Sequence, residues 1–204
     1  MGRLIKLYET NTSERDLRTI ADALEAGAMI IYPTDTLYAL GCSLNSIKTI
    51  AKLKELKNKK NDNLSLIFSD ISQLSEYARV DNSQYKIIKR NTPGAVTFIL
   101  NATREVPNKF LEKKSTVGIR IPDNNITTQI VSSLGVPLVS TSIDFKNLDV
   151  EDSINPELIW EEYKDKVDLM VDGGMAQLIP STVVDMSSGD VEIVREGDYV
   201  LVLD

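Results

Sequence analysis

The sequence predicts the α/β class, a single domain over residues 1–204 with one twisted sheet and flanking helices. Short β-branched runs alternate with segments of helical apolar spacing, and Gly, Pro, Ser or Asn stands at many of the junctions. A length of 204 residues, 42% of them hydrophobic, suits one domain with a three-layer core. No repeat, low-complexity stretch or linker divides the chain.

In chain order, Leu4 to Glu9 and Ala28 to Tyr32 read as strands. Between them Ser13 caps a helix whose apolar residues Leu17, Ile20, Ala21 and Leu24 recur at helical spacing before Gly27. The second strand runs straight into Pro33-Thr34-Asp35-Thr36, a hydroxyl-rich, acid-containing turn. In open α/β sheets ligands bind outside the carboxyl ends of strands, so this turn is expected to be a ligand loop. Ser46 is expected to cap a helix carrying Ile47, Ile50, Ala51, Leu53 and Leu56, which Lys57-Asn58-Lys59-Lys60 ends before a strand from Leu64 to Phe68. The plain explanation of those lysines is the helix dipole, worth about 0.3–1 kcal/mol. Helical patterns follow at Ile71 to Tyr77 and Tyr85 to Lys89, and Thr92-Pro93-Gly94 turns the chain into a strand from Val96 to Leu100. A strand from Thr116 to Ile121 ends at Pro122, a helix from about Asn125 to Leu134 stops at Gly135, and Pro137 to Thr141 is another strand. The last third gives a helix near Pro156 to Tyr163 and strands near Leu169 to Val171, Thr182 to Asp185 and Val191 to Val194.

Composition removes whole classes of chemistry. With no histidine, a Ser/His/Asp triad, a His-based zinc site and a His general base are impossible. Catalysis would have to use carboxylates, lysines, arginines, hydroxyls and backbone amides. The lone Cys42 has no disulfide partner and is expected to be a small buried residue. No apolar run is long enough to cross a bilayer and the amino end lacks a signal-peptide core, so a soluble cytoplasmic protein is expected. The net charge of -7 is uneven: residues 48–114 hold fourteen Lys or Arg against seven Asp or Glu, while residues 115–204 hold five against seventeen. The basic middle is either a solvated face or a local field for a polyanion such as ATP or RNA. The global charge argues against tight nonspecific nucleic-acid binding.

Neither GxxxxGK[ST] nor GxGxxG occurs, and Asp172-Gly173-Gly174 reads as a tight turn. Arg120 lies in an otherwise apolar strand, where an unpaired charge is costly; a carboxylate or phosphate ligand, or a structural salt bridge, would satisfy its guanidinium. Arg195, beside Glu196 and Gly197, raises the same question. Ser140-Thr141-Ser142 offers donors to anionic oxygens, or caps the element that follows.

Taken together and in this order, YPTDTLYALG, the lysine run, NTPGAVT, TVGIRIP, LVSTS, DGG, STVVD and REG resemble the YrdC/YciO-type threonylcarbamoyl-AMP synthase family from about residue 15 onward. The resemblance implies an open, mixed, twisted sheet with a concave, positively charged face. It implies condensation of L-threonine, bicarbonate and ATP to threonylcarbamoyl-AMP and pyrophosphate, with Mg2+ accompanying ATP, as a step toward threonylcarbamoyladenosine in tRNA. By matching motif positions, Thr34, Arg120 and Ser181 would face L-threonine. Lys57 and Lys59 would stand near the ATP phosphates, with Thr116, Ser140, Ser142 and Arg195 also on the nucleotide side. No covalent or acid–base residue is implied.

Three departures fall within those motifs. Lys57-Asn58-Lys59 replaces a Lys-x-Arg pair, and lysine lacks the planar double contact of arginine to phosphate. Ser142-Ile143-Asp144 replaces Ser-Ala-Asn, placing a carboxylate where ATP would approach. Ala39 replaces glycine in the expected YGLG turn, limiting backbone freedom. These features are nearer the YciO branch, and they support an alternative: a protein of the same fold that binds double-stranded RNA, tRNA or a nucleotide with weak or no synthesis.

Overall fold

The structure, a computed structural model, describes residues 2–57, 64–111, 115–143 and 152–203. Its strands are β1 (Arg3–Lys6), β2 (Ile30–Tyr32), β3 (Ala39–Ser43), β4 (Ser65–Ile67), β5 (Ala78–Arg79), β6 (Val96–Ala102), β7 (Thr116–Arg120), β8 (Leu138–Ser142), β9 (Leu169–Asp172), β10 (Thr182–Asp185) and β11 (Glu192–Arg195). The helices are α1 (Glu14–Glu25), α2 (Ile47–Leu56), α3 (Leu74–Tyr77), α4 (Asn82–Asn91), α5 (Asn108–Leu111), α6 (Asn125–Leu134) and α7 (Pro156–Tyr163). The sheet runs β1-β9-β2-β3-β8-β4-β7-β6-β10-β11, with β5 added at one end of β6. Parallel pairs such as β1/β9 and β4/β7 stand beside antiparallel ones such as β3/β8 and β6/β7, so the expected mixed α/β sheet is present.

Local chemistry accounts for the starts of α1, α4 and α6 and for the end of α6. Ser13 accepts from the amide of Asp16 at the start of α1, Asn124 accepts from Thr127 at α6, and Gly135 closes α6 at φ +75°. A reciprocal capping box of Asp81 and Gln84 opens α4, which is longer than its apolar pattern suggested. Ser46 precedes α2 but makes no side-chain cap, contrary to expectation. The larger correction is β3. The stretch read as the continuation of a ligand loop returns as a fully buried strand between β2 and β8, with Ala39 paired to Tyr32 and Ser142. Ala39 is therefore a strand residue, and its supposed cost in turn freedom does not arise.

The two faces of the sheet are covered unequally. One carries the main core, with Ile31, Leu40, Leu66, Val96, Phe98, Leu100, Ile119 and Val184 packed beneath residues of α2, α4 and α7. On the other, α1 and α6 bury Leu17, Ile20, Leu24, Ile126, Ile130 and Leu134 against Ile30, Tyr32, Ile67, Leu138 and Leu169. That cover extends from β1 across β8 to Ile67 at the end of β4. Side chains alternate along a strand, and on β6, β7 and β10 every second residue on this face (Thr97, Ile99, Asn101, Thr116, Gly118, Val183, Asp185) is half-buried, while its neighbours are in the core. Half of one sheet face is thus open.

Cys42 is fully buried in β3, and burial pushes its thiol up to about 12. A thiol-exchange reagent at neutral pH is expected to leave the native protein unmodified and to react with one equivalent after denaturation; rapid labelling of native protein would contradict this packing. Among the described residues no helix is long and apolar enough to cross a membrane.

Candidate functional site

The register of the sheet lays a polar floor where the covered half-face meets the open one. Ser65 pairs with Ser140 on one side and Gly118 on the other, so three small residues stand in one row. A Cβ on Gly118 would lie 3.3 Å from Ser65 Cβ and 3.5 Å from Thr97 Cγ2, so any side chain there would fill the floor. Alternation places Thr116 and Arg120 on the same face as Gly118, and Ser142 on the same face as Ser140.

Arg120, at the end of β7, is buried and reaches the Pro33-Thr34-Asp35-Thr36 loop that leaves β2. Its Nη2 donates to Asp35 Oδ1 and, at 2.9 Å, to Thr36 Oγ1. Asp35 Oδ2 also accepts from the amide of Asp123 at 3.0 Å. The Thr34 and Thr36 hydroxyls lie 3.0 Å apart, Thr34 donates to the carbonyl of Leu37 at 2.7 Å, and its oxygen accepts from the Thr36 amide at 3.0 Å. The salt bridge anticipated as one solution for Arg120 is therefore formed, yet its buried Nε has no partner among the described residues. An orphaned, buried, charged N–H is costly unless an anion completes it.

The second guanidinium comes from the sheet edge. Arg195 donates through Nε and Nη2 to the Ser181 carbonyl at 3.1 and 2.8 Å, and through Nη2 to Ser181 Oγ at 3.1 Å. Ser181 Oγ lies 3.0 Å from Thr97 Oγ1 on the floor. Burial, and then the like charge of Arg120, hold the Arg195 guanidinium below its ordinary value. Two cations near enough for the charge of one to lower the proton affinity of the other make a field for an anion.

On the β8 side, Lys57 Nζ donates to the Ser142 carbonyl at 2.7 Å, tying the end of α2 to the end of β8. This contact, and not the dipole of α2 alone, explains the first lysine of the run. Tyr32 donates to Ser140 Oγ, and Ser140 and Ser142 both lie in β8. Burial raises the pKa of both Tyr32 and Tyr38, which keeps them protonated donors at neutral pH. Tyr38 braces the loop against the Asp172-Gly173-Gly174 turn, donating to Gly174 O at 2.7 Å while accepting from Gly173 N at 3.0 Å.

Of the residues expected to contribute, Thr34 and Arg120 are joined through Thr36, Ser181 and Arg195 bond to each other, and the two arginines are near enough to feel each other's charge. Ser140, Ser142 and Lys57 lie together at the end of β8, joined to the strand of Arg120 through the Ser140–Ser65–Gly118 row; Thr116 shares its face. Lys59, and with it Asp144, lies outside the described residues. Reading by motif did not single out Asp35, Thr36, Thr97 or Ser65. Strand alternation was the one signal that could have found Thr97 and Ser65, whereas Asp35 meets Arg120 across 85 positions of chain.

Residues 22–197 match the Sua5/YciO/YrdC family model, described as "Telomere recombination". Escherichia coli (strain K12) YciO is 36% identical over 201 residues, covering 97% of this chain and 96% of the relative. A Methanocaldococcus jannaschii protein named "Putative threonylcarbamoyl-AMP synthase" is 30% identical, covering 96% of this chain and 93% of its own. The crystal structure of E. coli YciO superposes with a TM-score of 0.89 at 34% identity, covering 97% of each chain. Pyrococcus abyssi Sua5 complexed with L-threonine has a TM-score of 0.84 at 24% identity, covering 95% of this chain and 57% of that one, and so shares the fold. Sequence match and backbone agree along nearly the whole length, and the chain belongs to the Sua5/YciO/YrdC family.

Proposed function

We propose that this protein condenses L-threonine, bicarbonate and ATP to threonylcarbamoyl-AMP and pyrophosphate, for tRNA threonylcarbamoyladenosine formation in the cytoplasm. The observation that carries the reading is the Nε of buried Arg120, which has no partner among the described residues, on a side chain close enough to Arg195 for their like charges to be felt. A guanidinium edge suits a carboxylate such as that of an amino acid. The hydroxyls of Ser140, Ser142 and Thr116, with Lys57 and Arg195, suit phosphate oxygens. Membership of a family that includes a named synthase relative, and the fold shared with a Sua5 that holds L-threonine, support the same reading.

In this reaction the threonine amine adds to carbon dioxide derived from bicarbonate, forming the C–N bond and releasing a proton. A carbamate oxygen then attacks the α-phosphorus, and the bond to the bridging oxygen breaks as pyrophosphate leaves. No protein nucleophile or histidine is required. The chain's own contribution is to align the carbamate with the α-phosphorus and to offset the charge that develops there. Magnesium would enter with ATP, held by phosphate oxygens and water.

The test is omission. Purified protein with ATP, magnesium, bicarbonate and L-threonine is expected to release pyrophosphate and the adenylate, and to stop when either threonine or bicarbonate is withheld. One observation favours a second reading, that of a binding protein for nucleotide, tRNA or double-stranded RNA: Arg120 and Lys57 already have protein acceptors. RNA affinity that falls steeply with salt, without pyrophosphate release, would establish that reading in place of synthesis.

A further inference from the structure

We propose that Tyr32 is a positioning residue that fixes the hydroxyl of Ser140 as a one-way donor to a phosphate oxygen of ATP. The inference deepens the reading of the open face as a nucleotide site and rests on it. Tyr32 ends β2, Gly41 lies in β3 and Ser140 in β8, three strands adjacent in the sheet. The Tyr32 ring crosses the middle strand at Gly41, where a Cβ would fall 2.7 Å from Tyr32 Cε1. The phenol thus reaches over a neighbouring strand to a serine 108 positions away and donates to its Oγ, with both residues buried.

The chemistry of that contact gives Ser140 a direction. A serine hydroxyl has one proton and two acceptor lone pairs. With a lone pair occupied by the phenolic proton, and no described residue accepting from Ser140, its own proton is left for the floor shared with Ser65 and Gly118. Burial keeps the phenol protonated, so it cannot exchange roles with the serine by ionising. Packing alone does not require the hydroxyl, because phenylalanine would fill the same volume.

Calorimetry with ATP and magnesium, and separately with L-threonine, on the wild type, Tyr32→Phe, Ser140→Ala and the double variant tests this. Tyr32→Phe is expected to weaken ATP binding about five- to tenfold, the scale of one hydrogen bond, with threonine affinity unchanged. Ser140→Ala, which keeps the phenol, is expected to show the same selective loss, and the double variant to bind ATP as Ser140→Ala does. Unaltered ATP binding by Tyr32→Phe, equal loss of both ligands, or additive effects would overturn the proposal. Turnover on the same preparations separates the two ideas. Wild-type synthesis with unaffected ATP binding by Tyr32→Phe removes the role of Tyr32 and leaves the enzyme. Selective, non-additive loss without synthesis leaves the role of Tyr32 and removes the enzyme. A wild type that does not bind ATP contradicts both.

Discussion

Arg120→Ala is expected to weaken L-threonine binding by about 2 to 5 kcal/mol, the range for removing one partner of a buried, hydrogen-bonded charge pair. The same change strands Asp35, whose side chain is 10% exposed, and leaving a buried charge without its partner costs about 3–5 kcal/mol of stability. Both losses come from one guanidinium, but they are separable. The double variant Arg120→Ala/Asp35→Asn removes the stranded charge while keeping an acceptor for the Asp123 amide, so much of the melting temperature should return. Threonine affinity should not return. Recovery of both in the double variant would mean that Arg120 serves only the loop.

Gly197→Ala is expected to be the most damaging small change at the rim. A Cβ there would lie 2.4 Å from the carbonyl oxygen of Pro180, 2.7 Å from the amide nitrogen of Thr182 and 2.9 Å from the carbonyl carbon of Ser181. All three are backbone atoms, so no side-chain rotation relieves the contact. The Gly197 amide also donates to Thr182 Oγ1 at 3.1 Å, and Thr182 donates to Tyr199 O at 2.9 Å, binding this turn to the start of β10. Separation of the two segments pulls Arg195 away from Ser181. Overpacking of this kind costs about 1–3 kcal/mol, or several degrees in melting temperature for a chain of this length, with a parallel fall in affinity for ATP and threonine. Gly189→Ala is the comparison: its φ of +98° strains alanine, but a Cβ meets nothing within 4 Å. It should cost stability and leave both affinities unchanged.

The parts of the molecule governed by local rules were legible in the sequence. The cap at Ser13, the helix start near Asn125, the left-handed stop at Gly135 and the strand from Thr182 to Asp185 each show in residues within a few positions. β3 was not legible, because its small residues Ala39, Gly41 and Ser43 carry little strand propensity; partners on both sides and complete burial make it a strand. The two-residue β5 and four-residue α5 are too short to show a period. At the candidate site, the sequence order of motifs pointed to Thr34, Arg120, Ser181 and Arg195, but not to what each touches. Asp35 bonded to Arg120, Tyr32 bonded to Ser140, and Ser65 set between Ser140 and Gly118 are products of strand order, and strand order is a long-range property.

The central claim is that the open end of this sheet receives an amino-acid carboxylate at Arg120, next to a place for triphosphate. Crystals of the protein grown with L-threonine test it most directly. The account predicts electron density for threonine with its carboxylate within hydrogen-bond distance of Arg120 Nε and its side chain toward Thr34 and Ser181. Threonine bound elsewhere, or absent at saturating concentration with Arg120 Nε still unpartnered, would contradict it.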